Sequence, residues 1–242
     1  MNQKIYKYKT WAFEPLDQRL NVFKTMKGLK EMRYISPIKV TTGILTNILN
    51  TVAFRQPLNN NKSFNLMMMT LDHKVLLLQR TQSFHFPKVI KDLQLNKINF
   101  DLLESLYSTE VEKIRKRFFD FFPPLISKET ESMIHIFPGG HSNHNETIFQ
   151  TLTRELYEET GINIKFNDLR FHQSCIFKVL IYDLIVKKTF NNFVFPVKVN
   201  MTSLDICKNF KESKHTKQPT FIDINGCSLF DAFVKVQEFM LL

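Results

Sequence analysis

The sequence predicts an α+β fold, an α/β/α sandwich with a mixed central sheet, and three observations carry that expectation. First, the run Ser63–Arg80 holds two dense apolar stretches flanking Asp72-His73, the pattern of two strands joined by a tight turn. Second, Cys175–Val186 and Phe190–Val199 are apolar runs separated by Lys187-Lys188, as in adjacent strands. Third, a helical stretch, Glu146–Thr160, lies between these pairs and places Ile148, Leu152 and Leu156 on one apolar stripe. The continuity of the strand runs suits a sheet buried on both faces.

The 242 residues accommodate one domain with an appendage or two small ones, and a hydrophobic content of 43% suffices for a packed core. The polar run Asn59–Lys62 suggests a division into an N-terminal basic region, residues 1–60, and a larger domain, 61–242. In the first region Lys4, Lys7, Lys9, Lys24, Lys27, Lys30 and Arg33 carry the charge, and short strands and helices are expected. After the first hairpin the pattern turns helical, as an insertion at about 87–124. Pro87 opens it, and Val89, Ile90, Leu93, Phe100, Leu102, Leu103 and Leu106 recur at helical spacing. Ser108 or Thr109 is expected to cap a further helix, with Glu112 completing a capping box, and Pro123-Pro124 to end it. That helix carries Lys113, Arg115, Lys116 and Arg117. The insertion is either a stabilising element with a solvated basic face or an arm that holds a phosphate backbone. Met133–Phe137 reads as a short strand entering Pro138-Gly139-Gly140. Downstream, Leu204–Glu212 is expected to be helical, Thr220–Ile224 a strand, and Ser228–Leu242 a closing amphipathic helix.

A net charge of +10 points to a polyanionic partner, nucleic acid first and an anionic membrane surface second, against a simple lysine-rich composition. Cys175, Cys207 and Cys227 lack metal-ligand spacing, so neither a disulfide framework nor a zinc site is expected, and a reducing, cytoplasmic setting is. No apolar run approaches the ~20 residues of a membrane span.

The chemistry concentrates in Glu146–Gly161. Glu155, Glu158 and Glu159 share one helical face, where three like charges repel. A divalent cation bound by their oxygens would offset that repulsion and would supply charge neutralisation and an activated water. Glu158 and Glu159 are the expected direct ligands, and Glu155 either ligates or acts as the base. Arg154 would fix the carboxylates by charge-assisted hydrogen bonds, and Gly139 or Gly140 could lend a backbone carbonyl. Glu146 is a further candidate at the same end. His135, His141 and His144 flank the stretch, as an acid, as phosphate contacts or as ordinary exposed loop residues. No GxSxG or GxxxxGK[ST] motif offers a competing chemistry.

Nine positions, Gly140, Glu146, Arg154, Glu155, Leu156, Glu158, Glu159, Gly161 and Ile162, stand at spacings that resemble the Nudix box. The resemblance implies a Nudix hydrolase with Mg²⁺ or Mn²⁺ as cofactor. Arg80, Ser83 and Phe84, with the helical insertion before the box, further resemble the poxvirus-type Nudix mRNA-decapping enzymes over roughly 63–199. That resemblance implies capped mRNA as the partner, release of m7GDP, and lowered host and viral mRNA in an infected cell. It also implies an aromatic pair around the methylated guanine, matched by Phe84 and Phe190, with Asp183 reading the base edge. The family's late metal-binding glutamate falls at His215, with Glu212 nearby, and its N-terminal acidic cap contact has Glu14 and Asp17 as loose candidates. A Nudix pyrophosphatase for ADP-ribose or another small dinucleotide is the near alternative. A non-catalytic RNA-binding protein on the same scaffold is the distant one.

Overall fold

The computed structural model describes residues 21–24, 31–52, 62–95, 97, 100–103, 105–118, 134–164 and 168–241. Seven strands form the main path of a mixed sheet, in the order β1 (Asn21–Lys24), β2 (Glu31–Lys39), β8 (Cys175–Asp183), β9 (Lys188–Val199), β3 (Lys62–Met69), β4 (Lys74–Arg80) and β10 (Thr216–Asp223). Short strands β5 (His135–Ile136), β6 (Gly139–Gly140) and β7 (Leu169–Phe171) attach to β4, β3 and β9. β3 and β9 run parallel from Lys62↔Asn191 to Met69↔Lys198, and the other pairings are antiparallel.

Alternation along the strands produces two cores. Leu66, Met68, Leu76 and Leu78 face one side, with Ile148, Leu152 and Leu156 of α5 (Ile148–Thr160) and Leu45, Ile48 and Leu49 of α1 (Thr42–Asn50). Met67, Met69, Val75 and Leu77 face the other, with Ala232, Phe233 and Val236 of α7 (Leu229–Leu241). Phe233 stacks on Phe177 at 3.9 Å between ring centroids. These are the three layers the sequence predicts. Val75 to Leu78 of β4 are all buried because they alternate between two cores, which is why this stretch reads as a continuous apolar run.

The N-terminal portion departs from the expected short pieces. β2 pairs with β8 along its whole length, from Glu31↔Asp183 to Lys39↔Cys175, and α1 packs against the first core. The expected division at residue 60 falls in 53–61, outside the described residues. β10 begins four residues before the expected Thr220, because Thr216 pairs with Arg80 across a register shift. α6 (Ser203–Asn209) closes before Glu212, and its cap is Thr202, which accepts from Asp205 N–H.

The insertion consists of α2 (Phe86–Gln94), α3 (Phe100–Leu103) and α4 (Ser108–Phe118). Val89, Leu93, Leu102, Leu103 and Ile114 form its own small core, and Ile185 and Val186 from the β8–β9 turn pack onto it. The expected capping box is corrected. Ser108 already lies within α4, and Glu110 rather than Glu112 reaches back to the helix entrance, accepting from Tyr107 N–H at 3.0 Å. Glu112 instead faces Arg115 and Lys116 at the surface. Phe119 to Pro124 lie outside the described residues.

Candidate active site

Helix α5 presents the predicted carboxylates. Thr147 caps it through a reciprocal box with Gln150, so the helix starts at Ile148 and Glu146 precedes it rather than opening it. Gly161 closes it in the left-handed conformation, φ 70°, which explains the terminal glycine of the motif. Outside the helix, Glu146 bends back: it accepts from Asn143 N–H at 2.8 Å and from Arg154 Nε at 2.7 Å. Arg154 then spends its remaining donors on Glu155 at 2.9 Å, Glu158 at 3.2 Å and the His141 carbonyl at 2.9 Å. Arg154 therefore organises three carboxylates, as charge-assisted donors do.

The carboxylates differ in environment. Burial pushes Glu159 up to about 8, with Glu155 and Glu158 adding to the rise and the Gly139 N–H, 2.9 Å away, opposing it. Burial also raises Glu155, against the pull of Arg154. Glu146 behaves oppositely: burial would raise it, but its bonds from Arg154 and Asn143 hold it down to about 2. Glu155 and Glu159 are thus partly dehydrated carboxylates whose charged forms lack full compensation.

These residues fit a hard divalent cation. The donors are all oxygens, and Gly140 leaves a cradle, since a Cβ there would lie 2.5 Å from the Glu155 carboxyl carbon. Among the described residues no three acidic, His or Cys side chains yet converge on one point. Glu158 accepts from the same Arg154 nitrogen, at 3.2 Å, that donates to Glu155 at 2.9 Å. β6 docks Gly139 and Gly140 on Asn65 and Phe64, which places the glycine turn beside the glutamates.

The other candidates divide. Phe84 is 49% exposed, and Arg80 lies over its ring at 4.2 Å from the centroid. Phe190 is half-buried beside Lys188, whose Nζ lies 5.8 Å from its ring centroid. Asp183 is buried and engaged: it accepts from His85 Nε2 at 2.6 Å and from the Ile185 and Val186 N–H groups at 2.9 and 3.0 Å. Burial would raise its pKa, but these bonds leave it below the ordinary carboxylate value. The His85 bond places Phe84 one residue from Asp183, and strand alternation puts Phe190 on the same sheet face as Asp183. Glu212 is exposed on the segment following α6, while His215, beside it, has Glu158 and Arg80 among its electrostatic neighbours. His141 donates to the Lys62 carbonyl at 2.6 Å, His135 rests against Phe239, and His144 lines an open cleft with Arg154. Glu14 and Asp17 lie outside the described residues.

Arg80 links the two halves of the site. Its strand partner is Thr216, whose hydroxyl donates to the Glu159 carbonyl, and its guanidinium lies on Phe84. Burial lowers its pKa, opposed by Tyr107, Glu159 and Glu110. Sequence reasoning used Arg80 only as part of a resemblance and did not nominate His85, Ser105 or Glu110. No local pattern marks them, since Ser83 reaches Glu110 across 27 positions and His85 reaches Asp183 across 98.

No family model matches the chain. Protein 080R of Invertebrate iridescent virus 3, whose name calls it a hydrolase, is 41% identical over 226 residues, covering 90% of this chain and 91% of that one. The mRNA-decapping protein D10 of Fowlpox virus (strain NVSL) is 30% identical over 174 residues, covering 70% of this chain and 75% of that protein. Among solved structures, a Nudix hydrolase from Nitrosomonas europaea superposes with a TM-score of 0.36 at 13% identity, covering 74% of this chain and 90% of that one.

Proposed function

The chain belongs to the viral family that includes protein 080R and the mRNA-decapping protein D10, and we propose that it is a Nudix hydrolase that removes the 5′ cap of RNA, releasing m7GDP and a 5′-monophosphate RNA. The observation that carries this reading is that both rings of the expected clamp already carry a cation over a face, Arg80 on Phe84 and Lys188 on Phe190. N7-methylation makes guanine cationic, so the same ring faces would attract it. Asp183, one residue from Phe84 through His85, supplies the nearby negative charge.

Glu155, Glu158 and Glu159 would hold Mg²⁺ or Mn²⁺, with Gly139 at the turn beside them. When bound, such a cation polarises the phosphate oxygens and lowers the pKa of water. The chain's own contribution is positional. Arg154 holds Glu155 and Glu158 in register, and its tie to Glu146 braces the guanidinium. Glu155, whose carboxylate lies against the Gly140 backbone, would either ligate the cation or accept a proton from the attacking water. Arg80, which lies over Phe84 and has Glu159 among its electrostatic neighbours, would contact the phosphates that join base to scissile bond.

Substrate competition tests the reading. Phe84→Ala and Phe190→Ala should each weaken m7GDP inhibition roughly 5- to 150-fold, the equivalent of ~1–3 kcal/mol of stacking. Inhibition by GDP should change little. Equal inhibition by m7GDP and ADP-ribose, unchanged in both variants, would favour a small-dinucleotide pyrophosphatase instead.

A further inference from the structure

Phe84 is an exposed ring on a buried backbone. Ser83 is 0% exposed and His85 7%, whereas Phe84 between them is 49% exposed. Both neighbours are tied to the helical insertion. Ser83 N–H donates to Glu110 Oε1 at 3.0 Å, and the other Glu110 oxygen accepts from Tyr107 N–H, so one carboxylate that is 2% exposed joins the loop to the start of α4. His85 Nδ1 lies 2.6 Å from Ser105 Oγ, in the α3–α4 connection, and His85 Nε2 donates to Asp183. Asp183 in turn closes the β8–β9 turn, whose Ile185 and Val186 pack on the insertion's core. Phe86, the next residue, packs on that same core. The Ser83 hydroxyl is buried without a hydrogen-bond partner among the described residues. An unpartnered buried hydroxyl carries a cost, so other contacts must hold this backbone where it is.

We propose that the inner face of the insertion is a splint for the Phe84 ring, with Glu110, Ser105 and His85 as positioning residues for base stacking. Fixing the backbone on both sides of an exposed ring removes ordering that binding would otherwise have to impose. The same relay ties the Phe84 loop to the hairpin that carries Asp183 and Phe190, so the two sides of the base site are held by one set of buried polar contacts. The insertion thus has two faces with separate work: charged residues outward, and the splint inward.

This inference rests on the reading of Phe84 as a stacking ring, and a double-mutant cycle separates the two. Ser105→Ala and Glu110→Gln should each raise the m7GDP inhibition constant and the KM for capped RNA about 3- to 10-fold, the scale of one lost buried hydrogen bond. The kcat at saturating RNA should be unchanged, and Ser105→Thr, which keeps the hydroxyl, should restore binding. In a Phe84→Ala background each change should weaken m7GDP inhibition by less than it does in the unaltered protein. The splint is overturned if the effect persists undiminished in Phe84→Ala, if kcat falls with KM unchanged, or if Phe84→Ala weakens inhibition while both splint variants do not. If Glu110→Gln fails to fold, Ser105→Ala decides alone. Unchanged inhibition in Phe84→Ala itself would reject the stacking reading, and the splint with it.

Discussion

Gly139 and Gly140 are neighbours, yet a methyl group on each would meet a different wall. At Gly139, φ is 148° and the added carbon would meet backbone, the Phe64 carbonyl and Asn65 Cα, neither of which can yield. At Gly140 its three nearest atoms would be those of the Glu155 carboxylate, the far end of a flexible side chain. The two substitutions should therefore separate stability from catalysis. Gly139→Ala should lower the melting temperature sharply. Gly140→Ala should leave it nearly unchanged but displace Glu155 and reduce kcat about 100-fold, the scale of a 1 Å misplacement of a reacting group. Thermal melts and steady-state rates on the same two proteins check this. Equal losses of stability would show that the Gly140 cradle is not the flexible contact described.

Helix α4 divides its charges by direction. Lys113, Arg115, Lys116 and Arg117 are exposed, while Glu110 and Ile114 turn inward. Glu112 lies 3.8 Å from Arg115 and 3.6 Å from Lys116, at a surface where such pairs contribute little. The outward cations remain available to a phosphate backbone. RNA affinity should accordingly fall with salt, and replacing Lys113 and Arg117 by Gln should make the slope of log K against log salt shallower by about 0.7 per lost contact. Inhibition by m7GDP should not change, because the base site is reached from the other face. A salt slope identical to that of the unaltered protein would leave α4 as a stabilising element only. The basic run was legible in the sequence because four cations in five residues leave few ways to be buried. Glu110 was not: one glutamate among many gives no sign of its direction, and the capping expectation settled on Glu112 because local spacing fits it equally well.

The sheet brings together residues that the chain keeps far apart. His85 and Asp183 are 98 positions distant, and Thr216 reaches Glu159 across 57. That separation sets the limit of reading the sequence. The glutamate helix was legible because its glycines, caps and carboxylates fall within one local stretch, and the buried strands were legible because both faces demand apolar side chains. The nine-position pairing of β2 with β8 was not, since Glu31–Lys39 carries mixed polarity and its partner is far along the chain, with Glu31↔Asp183 giving 183 − 31 = 152 at one end and Lys39↔Cys175 giving 175 − 39 = 136 at the other. The Phe84 splint was equally hidden, because no local pattern distinguishes a ring held outward from a ring in the core among 24 phenylalanines. The charge of +10 was visible at once, but only α4 and its neighbours give it a direction.

The claim that joins these features is metal-dependent release of m7GDP from capped RNA by the α5 glutamates. Product analysis of cap-labelled RNA, with Mg²⁺ or Mn²⁺ and after chelation, tests it most directly. The account predicts labelled m7GDP in the presence of metal, its loss on chelation, and its near absence in a Glu158→Gln, Glu159→Gln variant that keeps its fold. Full release by that variant, or cleavage of ADP-ribose or free cap dinucleotide as fast as capped RNA, would contradict it.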